Sequence, residues 1–258
     1  ASARNADGRP FTFEPDPAMW LHAWMDAAHD HGPTIDLGGQ VALFTGASSG
    51  LGRLFAVLLA ANGARVVATG RRVERLSEVA DAISAAGGTC LPAPLDVTDA
   101  EQLADVVSIA EAQLGPVQIL VNNAGIPDAQ YATKMPLELI DQVLDTNLRA
   151  PYVLSCEVAR RLIELKLPGR MVNISSIGGF HYSGGGAALY SITKAGVNRL
   201  NETLAVEWSR FGLNVNSIAP GLFASEMSDG MIERLGDLTR VFPRKRIGQP
   251  DNLDSTLQ

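Results

Sequence analysis

The chain has 258 residues, of which 46% are hydrophobic and 19% charged, and its formal net charge is −7. These proportions are those of a globular protein with enough residues for one large α/β domain and a substantial core. The negative balance argues against nucleic acid as a partner, because phosphate backbones are bound by basic surfaces.

The sequence contains no segment with the properties of a membrane span. Its longest unbroken apolar run, residues 54–61, is far shorter than the roughly 20 residues that a spanning helix needs. The first ten residues lack the apolar core of a signal peptide. Cys90 and Cys156 are distant in sequence, so we expect two buried free thiols, which suit a reducing compartment. We therefore expect a cytoplasmic protein that contacts no membrane.

Residues 1–36 differ from the rest and predict an N-terminal extension with one amphipathic helix. Asp16 and Pro17 resemble a helix start, and Trp20 and Trp24 recur at helical spacing. Their apolar face is expected to pack on the main domain or on a neighbouring subunit. The three histidines here have no carboxylate or cysteine at ligand spacing, so no metal site is predicted.

From residue 37 onward, short apolar runs alternate with segments of helical periodicity. The runs predict six strands, at 41–44, 65–69, 89–95, 117–121, 170–174 and 213–218. The segments between them predict helices at 53–61, 73–86, 99–114, 136–167 and 189–211, the fourth broken or kinked at Pro151. Strands separated by helices form a parallel sheet with right-handed crossovers. Residues 37–258 are thus predicted to form a single Rossmann-like α/β domain with a doubly wound parallel sheet.

The end of the chain departs from this alternation. Residues 247–258 have the pattern of a helix start, and the strand that should come next does not follow. We therefore expect the domain to lack its C-terminal strand.

A glycine-rich turn between the first strand and the first helix predicts a dinucleotide site. Gly46 permits the turn, Gly50 lets phosphates approach the backbone, and Gly52 lets the helix pack closely on the strand. The helix N-terminus then faces a pyrophosphate. A glycine loop without a ligand is the alternative, which the strand and helix on either side disfavour.

Tyr190 and Lys194 lie four residues apart on one face of a predicted helix. An ammonium group one turn away stabilises a phenolate and lowers the tyrosine pKa from its usual value of about 10. The pair is thus predicted to act as a general acid and base near neutrality. Ser176 follows the fifth predicted strand, where its hydroxyl can hydrogen-bond a substrate carbonyl. Each feature alone is common, as an ordinary helix pair or a turn-forming serine.

Several motifs occur together in the order and spacing of one family. They are Thr45-Gly46-x-x-x-Gly50-x-Gly52, Asn122-Asn123-Ala124-Gly125, Asn147, Ser176, Tyr190-x-x-x-Lys194 and Pro220-Gly221. From about residue 38 to residue 250, the chain resembles the short-chain dehydrogenases/reductases. The three-residue gap between Gly46 and Gly50 is similar to that of their compact single-domain branch, and the chain most resembles the 3-oxoacyl-thioester reductases.

The resemblance implies a catalytic tetrad of Asn147, Ser176, Tyr190 and Lys194. Tyr190 would exchange a proton with the substrate oxygen while hydride moves between the nicotinamide and the substrate carbon. Lys194 would lower the tyrosine pKa and hold the nicotinamide ribose, and Ser176 would orient the carbonyl. Asn147 would anchor a water molecule that feeds protons to Lys194.

The same resemblance implies the residues that contact the cofactor. They are Gly46, Ser48, Ser49, Gly50, Leu51 and Gly52 in the turn, Asp96 and Val97 at the adenine, Asn123, Ala124 and Gly125 at the ribose, Pro220, Gly221, Phe223 and Ser225 near the carboxamide, and Tyr190 with Lys194.

The end of the second predicted strand decides between NAD and NADP. An acid there would bind the free ribose hydroxyls, but this chain has Arg71, whose fork of donors suits a 2′-phosphate. The alternative is that Arg71 and Arg72 only begin a helix and face solvent. NADP(H) is therefore predicted, with NAD(H) as the weaker alternative.

The segment between Ser176 and Tyr190 is predicted to form one wall of the substrate site. Phe180 and Tyr182 offer aromatic surface there, and Leu222 adds apolar surface from the other side. A small-molecule carbonyl or alcohol is expected as substrate, such as a ketone, a β-keto acyl thioester or a ring alcohol. Residues that follow Leu222, at 225–235, would form a flexible lid.

The predicted function is that of an NADP(H)-dependent oxidoreductase, a carbonyl or 3-oxoacyl thioester reductase that interconverts a ketone and a secondary alcohol. A non-catalytic module that senses NADPH and an NAD-dependent alcohol dehydrogenase of the same family are the alternatives. Dehydratase or epimerase chemistry on the same Tyr-Lys pair is disfavoured by the glycine spacing. Members of the family usually form homodimers or homotetramers, which the resemblance implies here.

Overall fold

The structure is a computed structural model, and it describes residues 35–182, 184–236, 238–253 and 256. The predicted N-terminal helix and the three histidines lie outside the described residues. The predicted helix at the end of the chain begins there as a 3₁₀ turn, Pro250–Leu253.

Within the described residues, six parallel strands form one sheet in the order β3-β2-β1-β4-β5-β6. The strands are β1 (Val41–Thr45), β2 (Arg65–Gly70), β3 (Thr89–Pro94), β4 (Val117–Asn122), β5 (Gly169–Ile174) and β6 (Leu213–Ile218). The strand order reverses between β1 and β4, which creates the switch point where such sheets bind ligands. The predicted doubly wound parallel sheet is confirmed.

Helices cover both faces of the sheet. They are α1 (Gly50–Ala61), α2 (Val73–Ala85), α3 (Ala100–Leu114), α4 (Leu137–Leu144), α5 (Ala150–Leu165), α6 (Ala188–Trp208) and α7 (Glu226–Leu235). The residues predicted as a lid therefore form a regular helix, α7. A short 3₁₀ turn, Ile177–Gly179, connects β5 towards α6.

The chain passes from α4 to α5 through a π-helical turn, Asp145–Arg149. The N–H of Ala150 donates to the carbonyl of Asp145, five residues earlier. Pro151, in the first turn of α5, has no N–H to donate to the carbonyl four residues before it, which accounts for the wider turn. The predicted irregularity at Pro151 is therefore present, and it carries Asn147.

The apolar core lies on the two faces of the sheet. One cluster packs α3, α5 and α6 on the sheet through residues such as Val107 and Leu154. The other packs α1 and α2 on the opposite face through residues such as Phe55 and Leu76. Successive residues of β1 belong to alternate clusters, as the two-residue period of a strand requires. The central strands β1, β2 and β4 are buried on both faces, so the loops that follow them start from the packed core.

The two cysteines are free, as predicted, but each is only partly buried, one in β3 and one in α5. Loss of water around the thiol of Cys90 raises its pKa to about 12. Among the helices that the structure describes, none is long and apolar enough to cross a membrane.

Candidate active site

Most of the predicted site residues lie at the C-terminal edge of the sheet, where the loops after β1 and β4 meet. The hydroxyl of Thr45 accepts hydrogen bonds from the backbone N–H groups of Asn123 and Ala124, both at 3.0 Å. The side-chain amide of Asn123 donates in turn to the carbonyls of Thr45 and Gly46, both at 3.1 Å. These bonds join the glycine turn to the predicted ribose segment. Thr45 belonged to the sequence motif, but no role had been predicted for it.

Close packing requires glycine at two positions of the turn. A Cβ atom on Gly46 would lie 3.0 Å from the Cα of Ala124, and the φ of Gly46 is +68°. A Cβ atom on Gly52 would lie 2.3 Å from both the carbonyl oxygen of Gly46 and the side-chain nitrogen of Asn123. At Gly50, by contrast, the nearest atom to such a Cβ is 3.7 Å away. The turn is therefore tightly packed at Gly46 and Gly52, whereas space remains beside Gly50.

The N-terminus of α1 has the properties of an anion site. Ser49 caps this helix without a side-chain capping bond, and the first turn, which the structure describes in full, contains no acidic residue. The first N–H groups of a helix have no partner within it, and its dipole favours negative charge there. The turn and this helix end fit the pyrophosphate of a dinucleotide.

An arginine lies against the glycine turn, but it is Arg72 rather than the predicted Arg71. The guanidinium of Arg72 donates to the hydroxyl of Ser48 at 3.0 and 3.2 Å and to that of Ser49 at 2.6 Å. Arg71 is exposed and is not brought to these serines. In the sequence, Arg72 was indicated only by its position in the Arg-Arg pair that follows β2.

Glu226, the first residue of α7, also contacts this arginine. Its carboxylate forms ion pairs with Arg72, at 2.8 Å, and with Arg75. Partial burial raises the pKa of Glu226, but the two guanidinium groups outweigh that effect and hold the pKa below its usual value. Sequence analysis assigned no role to Glu226 or Arg75, because helices distant in sequence bring them together.

Ser176, Tyr190 and Lys194 meet beyond the end of β5. Ser176 lies beside Tyr190 and acts to lower the pKa of its phenol, and the ammonium nitrogen of Lys194 lies 5.6 Å from the centre of the Tyr190 ring. The hydroxyl of Ser176 also accepts from the N–H of Gly178 at 3.0 Å. Ser175 is instead directed into the fold, where its hydroxyl donates to the Lys194 carbonyl at 3.1 Å. The structure thus joins three of the four predicted catalytic residues, including the predicted serine.

Lys194 is buried, with 4% of its surface exposed. Its ammonium group donates to the carbonyl of Ile174, the last residue of β5, at 2.7 Å. Removal of water from this ammonium group lowers its pKa to about 8. The lysine is thus anchored at the strand end and directed beneath the tyrosine.

The pKa of Tyr190 departs from the prediction. Burial raises it, the hydrogen bond from Ser176 opposes that rise, and the negative charge of Asp128 adds to it. The predicted net lowering of this pKa is therefore wrong for this structure, because loss of water around the phenolate has the largest effect on it. A phenol with a raised pKa remains protonated at neutral pH.

Asp128 was missed by sequence analysis. It lies in the loop after β4 and only 2% of it is exposed. One carboxylate oxygen accepts from the backbone N–H of Tyr190 at 3.0 Å, and the other accepts from Ala129 at 2.8 Å. The residue therefore caps the first turn of α6 from a separate loop. No local sequence pattern predicts such a contact.

Asn147 is fully buried in the π-helical turn. Its side-chain amide accepts from the N–H of Ile126 and donates to the carbonyl of the same residue, both at 2.8 Å. A Cβ atom on Gly125 would lie 3.4 Å from the Asn147 side-chain oxygen and 3.6 Å from the Lys194 ammonium nitrogen. Asn147 thus anchors the loop beside Lys194, while its predicted role in a water relay stays a prediction.

The remaining predicted cofactor residues surround this edge in different ways. Val97 and Ala124 line one crevice with Thr45, whereas Asp96 accepts from the backbone and hydroxyl of Thr98 at 3.0 and 2.8 Å. In the segment after β6, the carbonyl of Pro220 accepts from the N–H of Ile177, Phe223 forms a bridge to Gly248, and the side chain of Ser225 caps α7. Gly221 lies beside the Ile177 side chain. Leu51, in the first turn of α1, packs on the core beneath the glycine turn.

The predicted substrate residues are less closely grouped. Phe180 and Tyr182 are exposed, at 74% and 49%, and Leu222 is half-buried. Among the described residues, no group of three or more His, Cys, Asp or Glu side chains forms a metal-binding cluster.

Comparison with known proteins identifies one family. A family model described as short chain dehydrogenase matches residues 40–235. A gluconate 5-dehydrogenase of Gluconobacter oxydans is 36% identical over 86% of this chain and 88% of its own length. A 3-oxoacyl-(acyl-carrier-protein) reductase of Escherichia coli is 36% identical over 81% of this chain and 84% of its own length. A solved structure from Beutenbergia cavernae, described as a proposed NAD(P)-dependent gluconate 5-dehydrogenase with NADP bound at low occupancy, has a TM-score of 0.80 and 34% identity, and the match covers 87% of this chain and 90% of that one.

Proposed function

The chain belongs to the short-chain dehydrogenase/reductase family, and we propose that it is an NADP(H)-dependent oxidoreductase that interconverts a ketone and a secondary alcohol. The observation that carries this proposal is the group formed by Ser176, Tyr190 and Lys194 beside the glycine turn. A hydroxyl and a phenol side by side, with an ammonium group 5.6 Å from the centre of the phenol ring, can bind and protonate a carbonyl oxygen. A module that only senses NADPH has no use for such a set.

In the proposed reaction, the nicotinamide of the bound cofactor supplies or takes up the hydride. The residues that would hold this cofactor are those of the glycine turn and α1, with Arg72 at the ribose end. Ser176 donates its hydroxyl hydrogen to the substrate carbonyl and fixes the oxygen beside Tyr190. Tyr190 then donates its phenolic proton to the oxygen as negative charge develops there.

Lys194 acts on the phenolate that Tyr190 becomes. Its ammonium group, 5.6 Å from the ring centre, stabilises that negative charge. Asn147 and Asp128 hold the loop and the helix that carry these groups. The pKa of Tyr190 is raised from its ordinary value of about 10, so the phenol is in the protonated form at neutral pH, as donation of its proton requires. The water relay predicted for Asn147 belongs to this proposal.

The cofactor preference rests on charge at the end of β2. The chain has Thr69, Gly70 and two arginines there, with no acid to bind the ribose hydroxyls. Arg72 already contacts the hydroxyls of the turn, and a guanidinium group binds phosphate with two parallel hydrogen bonds. The similar structure from Beutenbergia cavernae, described as NAD(P)-dependent, holds NADP at low occupancy, so a related site accepts the 2′-phosphate. Arg71, the residue predicted from sequence, remains a second candidate for the phosphate.

The substrate that we propose is an apolar ketone or a 3-oxoacyl thioester. The segment from Ile177 to Ala187 contains two aromatic residues and no lysine or arginine, which is unfavourable for a carboxylate. A sugar acid is the second candidate, because one relative and two similar solved structures are named as gluconate dehydrogenases. Two assays distinguish these substrate classes. One measures consumption of NADPH with acetoacetyl thioester, and the other measures reduction of NADP with gluconate. Turnover of gluconate alone would overturn the proposed substrate class.

We also propose that the protein is a homodimer or homotetramer. Large apolar side chains are exposed on the long helices α5 and α6, among them Tyr152 at 51%, Ile192 at 63% and Val206 at 78%. Exposed apolar groups on adjacent helices favour contact with a second copy. Light scattering of the full chain tests this, and a monomer at micromolar concentration would contradict it.

A further inference from the structure

A carboxylate from α7 lies between two arginines beside the glycine turn. Glu226 pairs with Arg72 at 2.8 Å and with Arg75, and Arg72 also donates to Ser48 and Ser49. Glu226 and Arg72 are 154 residues apart in sequence. This contact therefore ties the start of α7 to the turn between β2 and α2.

The groups around Glu226 are those that bind a phosphate monoester. Two guanidinium groups offer forked donors, and the serine hydroxyls add further hydrogen-bonding groups. A phosphate monoester carries about 1.5 to 2 negative charges at neutral pH and has three acceptor oxygens, whereas a carboxylate carries one charge and has two. The same donors should therefore prefer the phosphate to the carboxylate of Glu226.

Glu226 is free to move away when a stronger anion arrives. Its side chain is 54% exposed, and those of Arg72 and Arg75 are 41% and 43% exposed. Exposed ion pairs contribute little to stability, since water solvates the separated charges well. Replacement of this carboxylate by another anion thus costs little.

We infer that Glu226 is a specificity-determining residue for the cofactor, which gives up its contacts with Arg72 and Arg75 to the 2′-phosphate of NADP(H). The inference rests on the proposed use of NADP(H). Because Glu226 is the first residue of α7, the replacement also frees the first turn of that helix from the β2–α2 turn. NAD(H) has no such phosphate and leaves the ion pairs in place. The start of α7 thus responds to the phosphate that distinguishes the two cofactors.

The binding test uses two ligands that differ only in this phosphate, 2′,5′-ADP and 5′-AMP. Calorimetric titrations of the full chain compare the parent with Glu226→Gln and with Glu233→Gln, which removes an exposed charge from the same helix. We expect Glu226→Gln to bind 2′,5′-ADP about three- to tenfold more tightly, which is within the range expected for the loss of two exposed ion pairs. Its affinity for 5′-AMP should be unchanged, and Glu233→Gln should behave as the parent.

The results distinguish a failure of the role inferred for Glu226 from a failure of the proposed NADP(H) preference. A parent that binds 2′,5′-ADP no more tightly than 5′-AMP would remove the NADP(H) preference, and this inference with it. A parent with that preference, unchanged or weakened in Glu226→Gln, would overturn the inference alone, because Glu226 would then not compete with the phosphate.

Hydrogen exchange gives a second readout that does not depend on turnover. In the parent, 2′,5′-ADP should speed exchange at the backbone amides of the first turn of α7, and 5′-AMP should not. In Glu226→Gln that turn is already free of the ion pairs, so the ligand effect should be lost. If both ligands slow hydrogen exchange in this turn of the parent equally, the 2′-phosphate does not release Glu226 from its ion pairs.

Discussion

The carboxylate of Asp128 accepts a hydrogen bond from the backbone N–H of Tyr190 at 3.0 Å, although the two residues are 62 positions apart. This bond fixes the first turn of α6 to the loop after β4. It also brings a negative charge close to the phenol, whose pKa it raises in addition to the larger effect of burial. Asp128 therefore positions Tyr190 and adjusts the pH at which it ionises.

Asp128→Asn should move the pH profile of ketone reduction. The amide oxygen of asparagine still accepts a backbone hydrogen bond, but the negative charge is lost, so the pKa of Tyr190 falls. Since reduction needs the protonated phenol, the alkaline limb of kcat/KM should shift to lower pH. Lys194, the cation that faces the same ring, is unchanged in the variant.

The control is Asp141→Asn, which removes an exposed carboxylate from α4. It should leave the pH profile unchanged. If Asp128→Asn lowers activity equally at every pH, Asp128 has only a structural role.

Lys194→Met should change the pH dependence of stability. Burial lowers the folded pKa of Lys194 from 10.5 to about 8, so between these values the unfolded chain holds more protons. The contribution of Lys194 therefore destabilises the fold below about pH 8 and disappears as the pH rises towards 10.5. Across this window, the difference in unfolding free energy between parent and variant should change by about 3 kcal/mol.

Urea unfolding at a series of pH values measures this difference. Loss of the bond to the Ile174 carbonyl also affects stability, but equally at each pH, so the slope is the informative quantity. Lys134→Met, at an exposed lysine, serves as the control. A slope that is the same for Lys194→Met and the parent would contradict the lowered pKa.

Gly52→Ala should damage both the fold and the cofactor site. The new methyl group would lie 2.3 Å from the carbonyl oxygen of Gly46. Because this is a backbone atom, it cannot move aside without displacing the turn. Overpacking of this kind costs about 1 to 3 kcal/mol, and a displaced turn should weaken NADPH binding. Thermal unfolding and a fluorescence titration with NADPH measure the two effects.

Gly230→Ala provides a matched helical control. A Cβ atom there has no neighbour within 4 Å among the described residues, so the substitution should stabilise α7 by up to about 1 kcal/mol. Equal stability and NADPH affinity in Gly52→Ala and Gly230→Ala would show that the close approach at Gly52 is unimportant.

Arg72→Met should reduce the preference for NADPH over NADH more than Arg71→Met. Arg72 contacts Ser48 and Ser49, whereas Arg71 is exposed and apart from them. Loss of a phosphate contact should weaken NADPH binding about tenfold or more, the size of a hydrogen bond to a charged group, with little effect on NADH. Dissociation constants for both cofactors decide the point, and a larger effect of Arg71→Met would favour the residue predicted from sequence.

The features predicted from sequence are those with a local or periodic signal. The strands were evident because β1, β2 and β4 are short apolar runs buried on both faces, and the turn was evident from the spacing of Gly46, Gly50 and Gly52. Irregularity near Pro151 followed from the missing N–H of proline. In each case the cause lies within a few residues of the effect.

The features that sequence analysis missed depend on contacts between distant segments. Nothing near Asp128 indicates that it will cap α6, and nothing near Glu226 indicates that it will meet Arg72. The direction of the Tyr190 pKa was predicted wrongly for the same reason. Lys194 was visible one helical turn away, but the burial that raises the Tyr190 pKa is set by the whole fold.

The central claim is that Tyr190 protonates the substrate oxygen during ketone reduction with NADPH. NADPH consumption with acetoacetyl thioester should be measured for the parent, Tyr190→Phe and the control Tyr131→Phe, whose ring is 67% exposed. Steady consumption by the parent and the control is expected, with a loss of about two to four orders of magnitude in Tyr190→Phe and unchanged NADPH affinity. Turnover by Tyr190→Phe at the parental rate would contradict the account.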